Sequence, residues 1–212
     1  MKLDAAKKDV YRKRAKKSGL RSRSAYKLLQ INSKYQIFEN VRTVVDFGCS
    51  PGGWLQVASE KIGLESFILG IDIEPVEKVN NTKTVVMDVR EKNIAEVILS
   101  NLPRAADVIL SDMAPNLSGI WDLDHAKQID LTSKVIEMMP KILRKGGIAV
   151  LKVFDGEMLE EFLKEVRLSF ENVKLAKPEA SRTQSSEIYL ICKGYRRIHS
   201  TIGNRCPEIP LY

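Results

Sequence analysis

Apolar residues along the middle of the chain fall in short uninterrupted runs, and most runs are followed by a longer stretch with helical periodicity. Runs this apolar are typical of strands in a parallel sheet that helices cover on both faces. The pattern therefore predicts a doubly wound α/β domain. The predicted strands are 43–47, 67–73, 84–88, 106–111 and 148–153. The clearest helical stretches are 52–62, 124–143 and 156–170.

The pattern changes near the carboxyl end of the chain. Two strand candidates, ENVKLAKP at 171–178 and EIYLICKGY at 187–195, are separated by a polar segment that is too short for a crossover helix. We expect them to pair antiparallel, so that one of them runs against the rest of the sheet. The predicted fold is thus a Rossmann-like, mostly parallel seven-stranded sheet with one antiparallel strand and helices on both faces.

Positive charge is concentrated at the amino end of the chain. Residues 1–23 contain ten lysines and arginines and two aspartates, a net charge of +8, whereas the whole chain carries +7. A basic arm beside a near-neutral body is typical of a protein that binds a polyanion, and the competing interpretation is a solvated terminus. The arm leads into SAYKLLQI at 24–31, which predicts a short helix with Ser24 as its N-cap.

Other features of the composition disfavour whole classes of protein. No apolar run approaches the roughly 18 residues of a membrane span, and the charged amino end does not have the pattern of a signal peptide. We therefore expect a cytoplasmic protein that binds no membrane. The three cysteines form no CxxC or His-paired pattern, so we predict reduced thiols and no metal site.

A glycine-rich turn, DFGCSPGGW at 46–54, lies between the first predicted strand and the following helix. Glycines at this place let the backbone turn tightly and let a cofactor approach it. The spacing from Gly48 to Gly52 differs from the GxGxxG of dinucleotide-binding proteins, which disfavours a dehydrogenase. Ser50 and Pro51 suit the cap and the first turn of the helix.

Two aspartates at strand ends predict an adenosine pocket. Asp72 ends the second strand, where a carboxylate can accept hydrogen bonds from ribose hydroxyls. Asp88 ends the third strand, within reach of an adenine amino group. Without a pyrophosphate-binding fingerprint this combination fits S-adenosylmethionine, although strand-end aspartates are also common helix caps. Trp54 either flanks the cofactor or packs in the core.

Candidate catalytic groups are expected at the same edge of the sheet. The fourth strand ends in SDMAPN, in which Asn116 stands where base-amine methyltransferases carry an aromatic residue, so methylation of a base nitrogen is disfavoured. Lys152 ends the buried fifth strand, where an ammonium group needs a partner unless it reaches solvent. Glu187 begins the antiparallel strand, which starts where the parallel strands end. We therefore expect Asp112, Lys152 and Glu187 to face one crevice.

Five segments closely resemble, in order and spacing, the FtsJ/RrmJ family of RNA ribose 2′-O-methyltransferases. The resemblance spans residues 9–194 and rests on SRSAYKLLQI, VVDFGCSPGGW, SDMAPNLSG, LKVFDGE and SRTQSSEIY. It implies transfer of the methyl group of S-adenosylmethionine to a ribose 2′-hydroxyl of RNA. The catalytic tetrad that it implies is Lys27, Asp112, Lys152 and Glu187. The cofactor contacts that it implies are Gly52, Trp54, Asp72, Asp88 and Asp112.

The resemblance also implies a substrate and a domain organisation. The branch that this chain resembles most acts on a uridine of large-subunit ribosomal RNA, and a related branch with a similar basic amino end modifies the tRNA anticodon loop. A non-catalytic RNA-binding assembly factor with the same fold is the remaining alternative. We expect a monomer that binds no DNA. The predicted division is a basic RNA-binding arm and helix at 1–40, a methyltransferase domain at 41–195 and a tail at 196–212.

The tetrad can assist methyl transfer in two ways. In the first, Lys152 takes the proton of the ribose hydroxyl and Asp112 orients it, while Lys27 and Glu187 hold the ribose. In the second, Lys152 stays protonated, positions the hydroxyl and stabilises the negative charge that develops on it. The residue types and their spacing do not decide between these versions.

Three further side chains, one tryptophan and two histidines, have either a functional or a purely structural role. Trp121, in the loop after SDMAPNLSGI, either stacks on RNA or anchors the loop. His125 and His199 have no neighbouring metal-binding pattern. We interpret both histidines as surface or capping residues.

Overall fold

The computed structural model describes residues 10–182 and 184–197. The amino-terminal part of the basic arm and most of the predicted tail, including His199 and Cys206, lie outside the described residues. The elements, in chain order, are α1 (Val10–Lys17), α2 (Ser24–Tyr35), β1 (Thr43–Phe47), α3 (Gly53–Ile62), β2 (Phe67–Asp72), β3 (Thr82–Val86), α4 (Ile94–Asn101), β4 (Ala106–Ser111), α5 (Trp121–Ile142), β5 (Leu143–Phe154), α6 (Leu159–Ser169), β6 (Phe170–Ala176) and β7 (Glu187–Tyr195).

The strands of the described region form one seven-stranded sheet in the order β3-β2-β1-β4-β5-β7-β6. Strands β1 to β5 pair in parallel, whereas β7 is antiparallel to both of its neighbours. The predicted fold class, a Rossmann-like sheet with one reversed strand, is therefore confirmed. Because the connections from β1 and β4 leave in opposite directions along the sheet, a crevice opens at the carboxyl ends of these two central strands.

The core lies on both sides of the sheet, as the uninterrupted apolar runs predict. All residues of β1 and β4 are buried. One face of the sheet packs against apolar side chains of α4, α5 and α6. The other face packs against α2 and α3. This layering fixes α2, and with it Lys27, against the strands whose ends form the crevice.

Several boundaries differ from the prediction. Helix α1 was not predicted, because its sequence VYRKRAKK is basic and only Ala15 is buried. Helix α2 has Arg23 at its N-cap position, and the Ser24 hydroxyl pairs with that of Ser22 at 2.8 Å, so Ser24 is not the cap. The edge strand β3 spans Thr82–Val86 rather than 84–88, since its partly exposed residues give a weak apolar signal.

The glycine turn has a different construction from the predicted one. Helix α3 begins at Gly53, after Gly52 with φ of 104°, so Ser50 and Pro51 precede the helix rather than cap and start it. A β-carbon on Gly48 would lie 2.6 Å from the side chain of Met113, and one on Gly53 would collide with the Ser22 hydroxyl. These two glycines therefore let neighbouring parts of the chain approach the turn closely.

Candidate active site

The structure brings the four residues of the predicted tetrad together. Lys27 comes from α2, Asp112 follows β4, Lys152 lies in β5 and Glu187 begins β7. The Lys27 Nζ donates to Glu187 Oε2 at 2.9 Å. The Lys152 Nζ lies 3.2 Å from Asp112 Oδ1 and 3.8 Å from Glu187 Oε1, and it also donates to the Asp112 carbonyl oxygen. Amines and carboxylates thus alternate in one cluster.

The electrostatic balance of this cluster depends on its burial. Both lysines are buried, and the side chain of Glu187 is 24% exposed. Burial acts to raise the pKa of Glu187, but the ammonium groups of Lys27 and Lys152 outweigh it, so that pKa lies below its ordinary value. Glu187 is accordingly a carboxylate that holds two buried positive charges in place.

Tyr189 belongs to this cluster, and our sequence analysis did not identify it. Its hydroxyl donates to Asp112 Oδ1 at 2.7 Å, and the Lys27 Nζ lies 5.5 Å from the centre of its ring. Burial, followed by the charges of Asp112 and Glu187, raises the pKa of Tyr189 well above its ordinary value. Alternation along a strand places residue 189 on the same face as residue 187, and this signal was available in the sequence.

A cavity of about 520 Å³ opens at the carboxyl ends of the parallel strands, beside the tetrad. Its size is within the usual range for a small-molecule site. Asp72 and Asp88, the two aspartates of the predicted adenosine pocket, line it together with Asp112. Its other lining residues include Gly48 and Asn116, so the glycine turn and the SDMAPN loop both contribute to its wall.

The two strand-end aspartates are held differently. Asp72 accepts hydrogen bonds from the backbone N–H groups of Ser50, at 2.8 Å, and Glu74, at 2.9 Å. Asp88 accepts hydrogen bonds from the Arg90 side chain, from Nε at 2.9 Å and from Nη2 at 2.6 Å. These hydrogen bonds lower the pKa of Asp88 to about 2. Asp72 therefore braces the glycine turn as well as lining the cavity, whereas Asp88 presents an ionised carboxylate paired with an exposed arginine.

Gly52 and Trp54 do not line the cavity in this structure. The indole N–H of Trp54 donates to the Ser24 carbonyl at 2.9 Å, and its buried ring lies 5.8 Å from that of Tyr189. Trp54 therefore anchors α3 against α2 and packs beside Tyr189, which contacts the tetrad. The space beside Gly52 is filled by the Arg21 side chain. The roles of Gly52 and Trp54 as cofactor contacts stay predictions.

Asp46 is an unexpected buried acid beneath the cavity wall. It is fully buried, and neither of its carboxylate oxygens has a hydrogen-bond partner among the described residues. Burial, and then the charges of Asp112 and Asp72, raise its pKa well above the ordinary value. A cationic ligand near the turn would relieve this cost, so Asp46 and the acidic cavity wall are compatible with a positively charged cofactor such as S-adenosylmethionine.

Across residues 10–182 and 184–197, no group of three or more His, Cys, Asp or Glu side chains is arranged to hold a metal ion. The same residues contain no helix that is both long enough and apolar enough to span a bilayer.

Comparisons with known proteins agree with the geometry. Residues 20–195 match the family model of the FtsJ-like methyltransferases. The ribosomal RNA large subunit methyltransferase E of Cenarchaeum symbiosum is 44% identical over 90% of this chain and 97% of its own length. The protein of the same name from Methanothrix thermoacetophila is 46% identical over 88% of this chain and 72% of its own length.

Solved structures give the same result. A crystal structure from Plasmodium falciparum, described as a ribosomal RNA methyltransferase, superposes with a TM-score of 0.74 at 28% identity and covers 82% of this chain and 98% of its own. The family model covers all four tetrad positions as well as Asp72 and Asp88. The chain therefore belongs to the FtsJ-like methyltransferase family, whose members use S-adenosylmethionine as methyl donor.

Proposed function

We propose that this chain transfers the methyl group of S-adenosylmethionine to a ribose 2′-hydroxyl of RNA, with Lys27, Asp112, Lys152 and Glu187 as the catalytic residues. The observation that carries this proposal is the alternating cluster of two buried amines and two carboxylates at the edge of the cofactor cavity. A ribose hydroxyl is a weak nucleophile, and such a cluster supplies both a proton acceptor and groups that orient the hydroxyl.

The arrangement assigns a role to each member of the tetrad. When bound, S-adenosylmethionine supplies an electrophilic methyl group. Lys152 is central, because its Nζ contacts Asp112 on one side and Glu187 on the other. Lys27 orients Glu187, and Tyr189 orients Asp112. Holding the hydroxyl oxygen in line with the methyl carbon is expected to supply much of the rate.

The proton of the hydroxyl can be handled in either of the two predicted ways. In the first, Lys152 is neutral at the moment of reaction and accepts the proton as the oxygen forms its bond to carbon. In the second, the Lys152 ammonium donates a hydrogen bond to the ribose oxygen, which loses its own proton to solvent water as its bond to the methyl carbon forms. Replacement of Lys152 by arginine separates them, because a guanidinium keeps the charge but does not act as a base.

The proposed RNA is that of the large ribosomal subunit. The curated relatives that match most of this chain carry that substrate in their names. Helix α1, which carries five basic and no acidic residues, packs beside the Lys27-bearing α2 through Tyr11 and Tyr26, whose ring centres are 5.6 Å apart. A basic helix at this place suits a phosphate backbone that leads to the tetrad. This substrate also favours a cytoplasmic location for the activity.

One experiment tests both the reaction and the substrate. The full chain is incubated with labelled S-adenosylmethionine and either unmodified large ribosomal subunits or unmodified tRNA, and the labelled nucleotide is mapped as a linkage that resists alkaline hydrolysis. Resistance shows 2′-O-methylation, and a labelled but cleavable product would refute the ribose assignment. Lys152→Ala should abolish most of the transfer, whereas Lys145→Ala, at an exposed position of the same strand, should not.

A further inference from the structure

An exposed group of apolar side chains lies where the SDMAPN loop enters α5. The largest exposed member is Trp121, with 45% of its surface accessible to solvent. Leu117, Ile120 and Leu123, which are close to Trp121 in the sequence, are exposed as well. Proteins seldom expose so many large apolar residues close together without a binding function.

The Trp121 ring is packed against two buried rings. The centre of its ring lies 5.7 Å from that of His125, with planes 15° apart, and 6.0 Å from that of Phe154, with planes 25° apart. His125 is only 3% exposed, so its predicted surface position is wrong. The His125 ring fits there because residue 156 is a glycine. A β-carbon at position 156 would lie 2.5 Å from the His125 ring. We call Trp121, His125 and Phe154 the aromatic platform.

The loop before the platform is fixed as well. The Asp124 carboxylate accepts hydrogen bonds from the Ser118 N–H and hydroxyl, both at 2.7 Å, and from the Gly119 N–H at 3.0 Å. These contacts tie the first turn of α5 to the loop that precedes Trp121. The exposed part of the Trp121 ring is therefore held in place before any ligand arrives, which lowers the entropic cost of binding.

The platform adjoins the tetrad. Phe154 is the register partner of Glu187 in the β5–β7 ladder and lies two residues beyond Lys152. Lys27 approaches the same cluster from α2, which packs against the basic helix α1. An RNA strand that contacts α1 and places a ribose at Lys152 would thus have Trp121 beyond that ribose, on the side of α5.

We propose that Trp121 is a stacking platform for a base of the single-stranded RNA substrate, at the reacting nucleotide or next to it. This inference rests on the proposed function and adds a binding subsite to it. A nucleobase fits better than an apolar protein partner, because the supported aromatic ring lies beside the tetrad and because α1 offers charge for the phosphates. Stacking on aromatic side chains is the common way in which unpaired bases are held.

Fluorescence gives a direct test, because the chain contains only two tryptophans. Trp54 is buried with its indole N–H bonded, whereas Trp121 is exposed. Titration of the full chain with a short single-stranded oligouridylate should quench the emission of Trp121. In Trp121→Phe the RNA should still bind, but the quenching should be lost. A series of substrate oligonucleotides that each lack one base should identify the base that stacks.

Kinetics give the second readout. Trp121→Ala should raise the KM for RNA by about 5- to 150-fold, the loss of one stacked base, with little change in kcat or in cofactor affinity. Trp121→Phe should retain most of the affinity, and Trp121→Leu, which is apolar but not aromatic, should behave like alanine. The control is Leu64→Ala, at an apolar position that is 82% exposed and precedes β2, and it should change nothing.

The outcomes separate this inference from the proposed function. If the wild type methylates RNA but its Trp121 emission is not quenched, and if Trp121→Ala has an unchanged KM for RNA, the platform alone is overturned. A normal KM for RNA in Trp121→Leu would show that an apolar side chain is sufficient and would overturn base stacking. Absence of ribose methylation by the wild type would refute the proposed function, and the fluorescence titration still tests the platform because it needs no turnover.

Discussion

The pairing of Lys27 with Glu187 should be a measurable source of stability as well as part of the site. At the observed separation of 2.9 Å, Coulomb attraction amounts to roughly 6 kcal/mol at an effective dielectric constant near 20. The cost of removing both groups from water cancels much of this. Because Glu187 keeps 24% of its side-chain surface in solvent, we expect a coupling energy of about 2 kcal/mol.

Removal of one partner should cost more than the coupling itself. Glu187→Gln leaves the buried ammonium groups of Lys27 and Lys152 facing an amide, and we expect the free energy of unfolding to fall by about 3 kcal/mol. For a chain of this length that loss lowers Tm by about 6–12 °C. Lys27→Met combined with Glu187→Gln should recover part of the loss, since an apolar side chain in a buried position needs no partner.

The assay is urea unfolding of the wild type, both single variants and the double variant, from which the coupling energy follows. The exposed pair Arg167 and Glu160, 3.3 Å apart, is the matched control and should give less than about 0.5 kcal/mol. The pKa of Glu187 is lowered by folding, so its contribution should be present above pH 4.5 and disappear as the pH falls through the lower folded value. A coupling energy no larger than that of the control pair would refute the reasoning.

Three other predictions follow from the site and its surroundings. Lys152→Ala should lower single-turnover methyl transfer by about 10²- to 10⁴-fold with unchanged cofactor affinity in calorimetry, and equal turnover in the variant would remove Lys152 from the chemistry. Asp46→Asn should raise the free energy of unfolding, and because folding raises the pKa of Asp46, denaturation curves should show a gain that grows as the pH rises above the ordinary carboxyl pKa toward the raised folded value. Alanine in place of Lys13, Lys16 and Lys17 should reduce the slope of log affinity for RNA against log salt by about 2, and an unchanged slope would make α1 a passive element.

The sheet could be predicted because its central strands carry a strong and simple signal. Every position of β1 and β4 is buried, and their sequences, TVVDF and ADVILS, are rich in apolar residues. The edge strand β3 was displaced by two residues in the prediction, since its exposed positions have no apolar requirement. Helix α1 was missed for the related reason that charge, rather than an apolar face, dominates its sequence.

The proximity of the four tetrad residues could be predicted from the sequence, but the contacts that hold them in place could not. Tyr189 lies within an apolar run, and its hydroxyl is the hydrogen-bond donor that orients Asp112. Asp46 likewise lies within β1, and nothing in the local sequence shows that its carboxylate has no hydrogen-bond partner among the described residues. Trp54 had two possible roles, and only the bond from its indole N–H to Ser24 shows that it anchors the helix. Such support depends on contacts between distant segments, which no local pattern reveals.

The reversed direction of β7 is what completes the tetrad. Glu187 is the first residue of this strand and Tyr195 the last, and the strand is nine residues long. At about 3.3 Å per residue, a parallel β7 would place Glu187 about 26 Å from the crevice and bring Tyr195 to it instead. Lys27 and Lys152 would then be two buried cations without the carboxylate of Glu187 that both of them contact. The short segment between β6 and β7, which forbids a crossover and forces the reversal, is therefore as necessary to the proposed chemistry as the charged residues themselves.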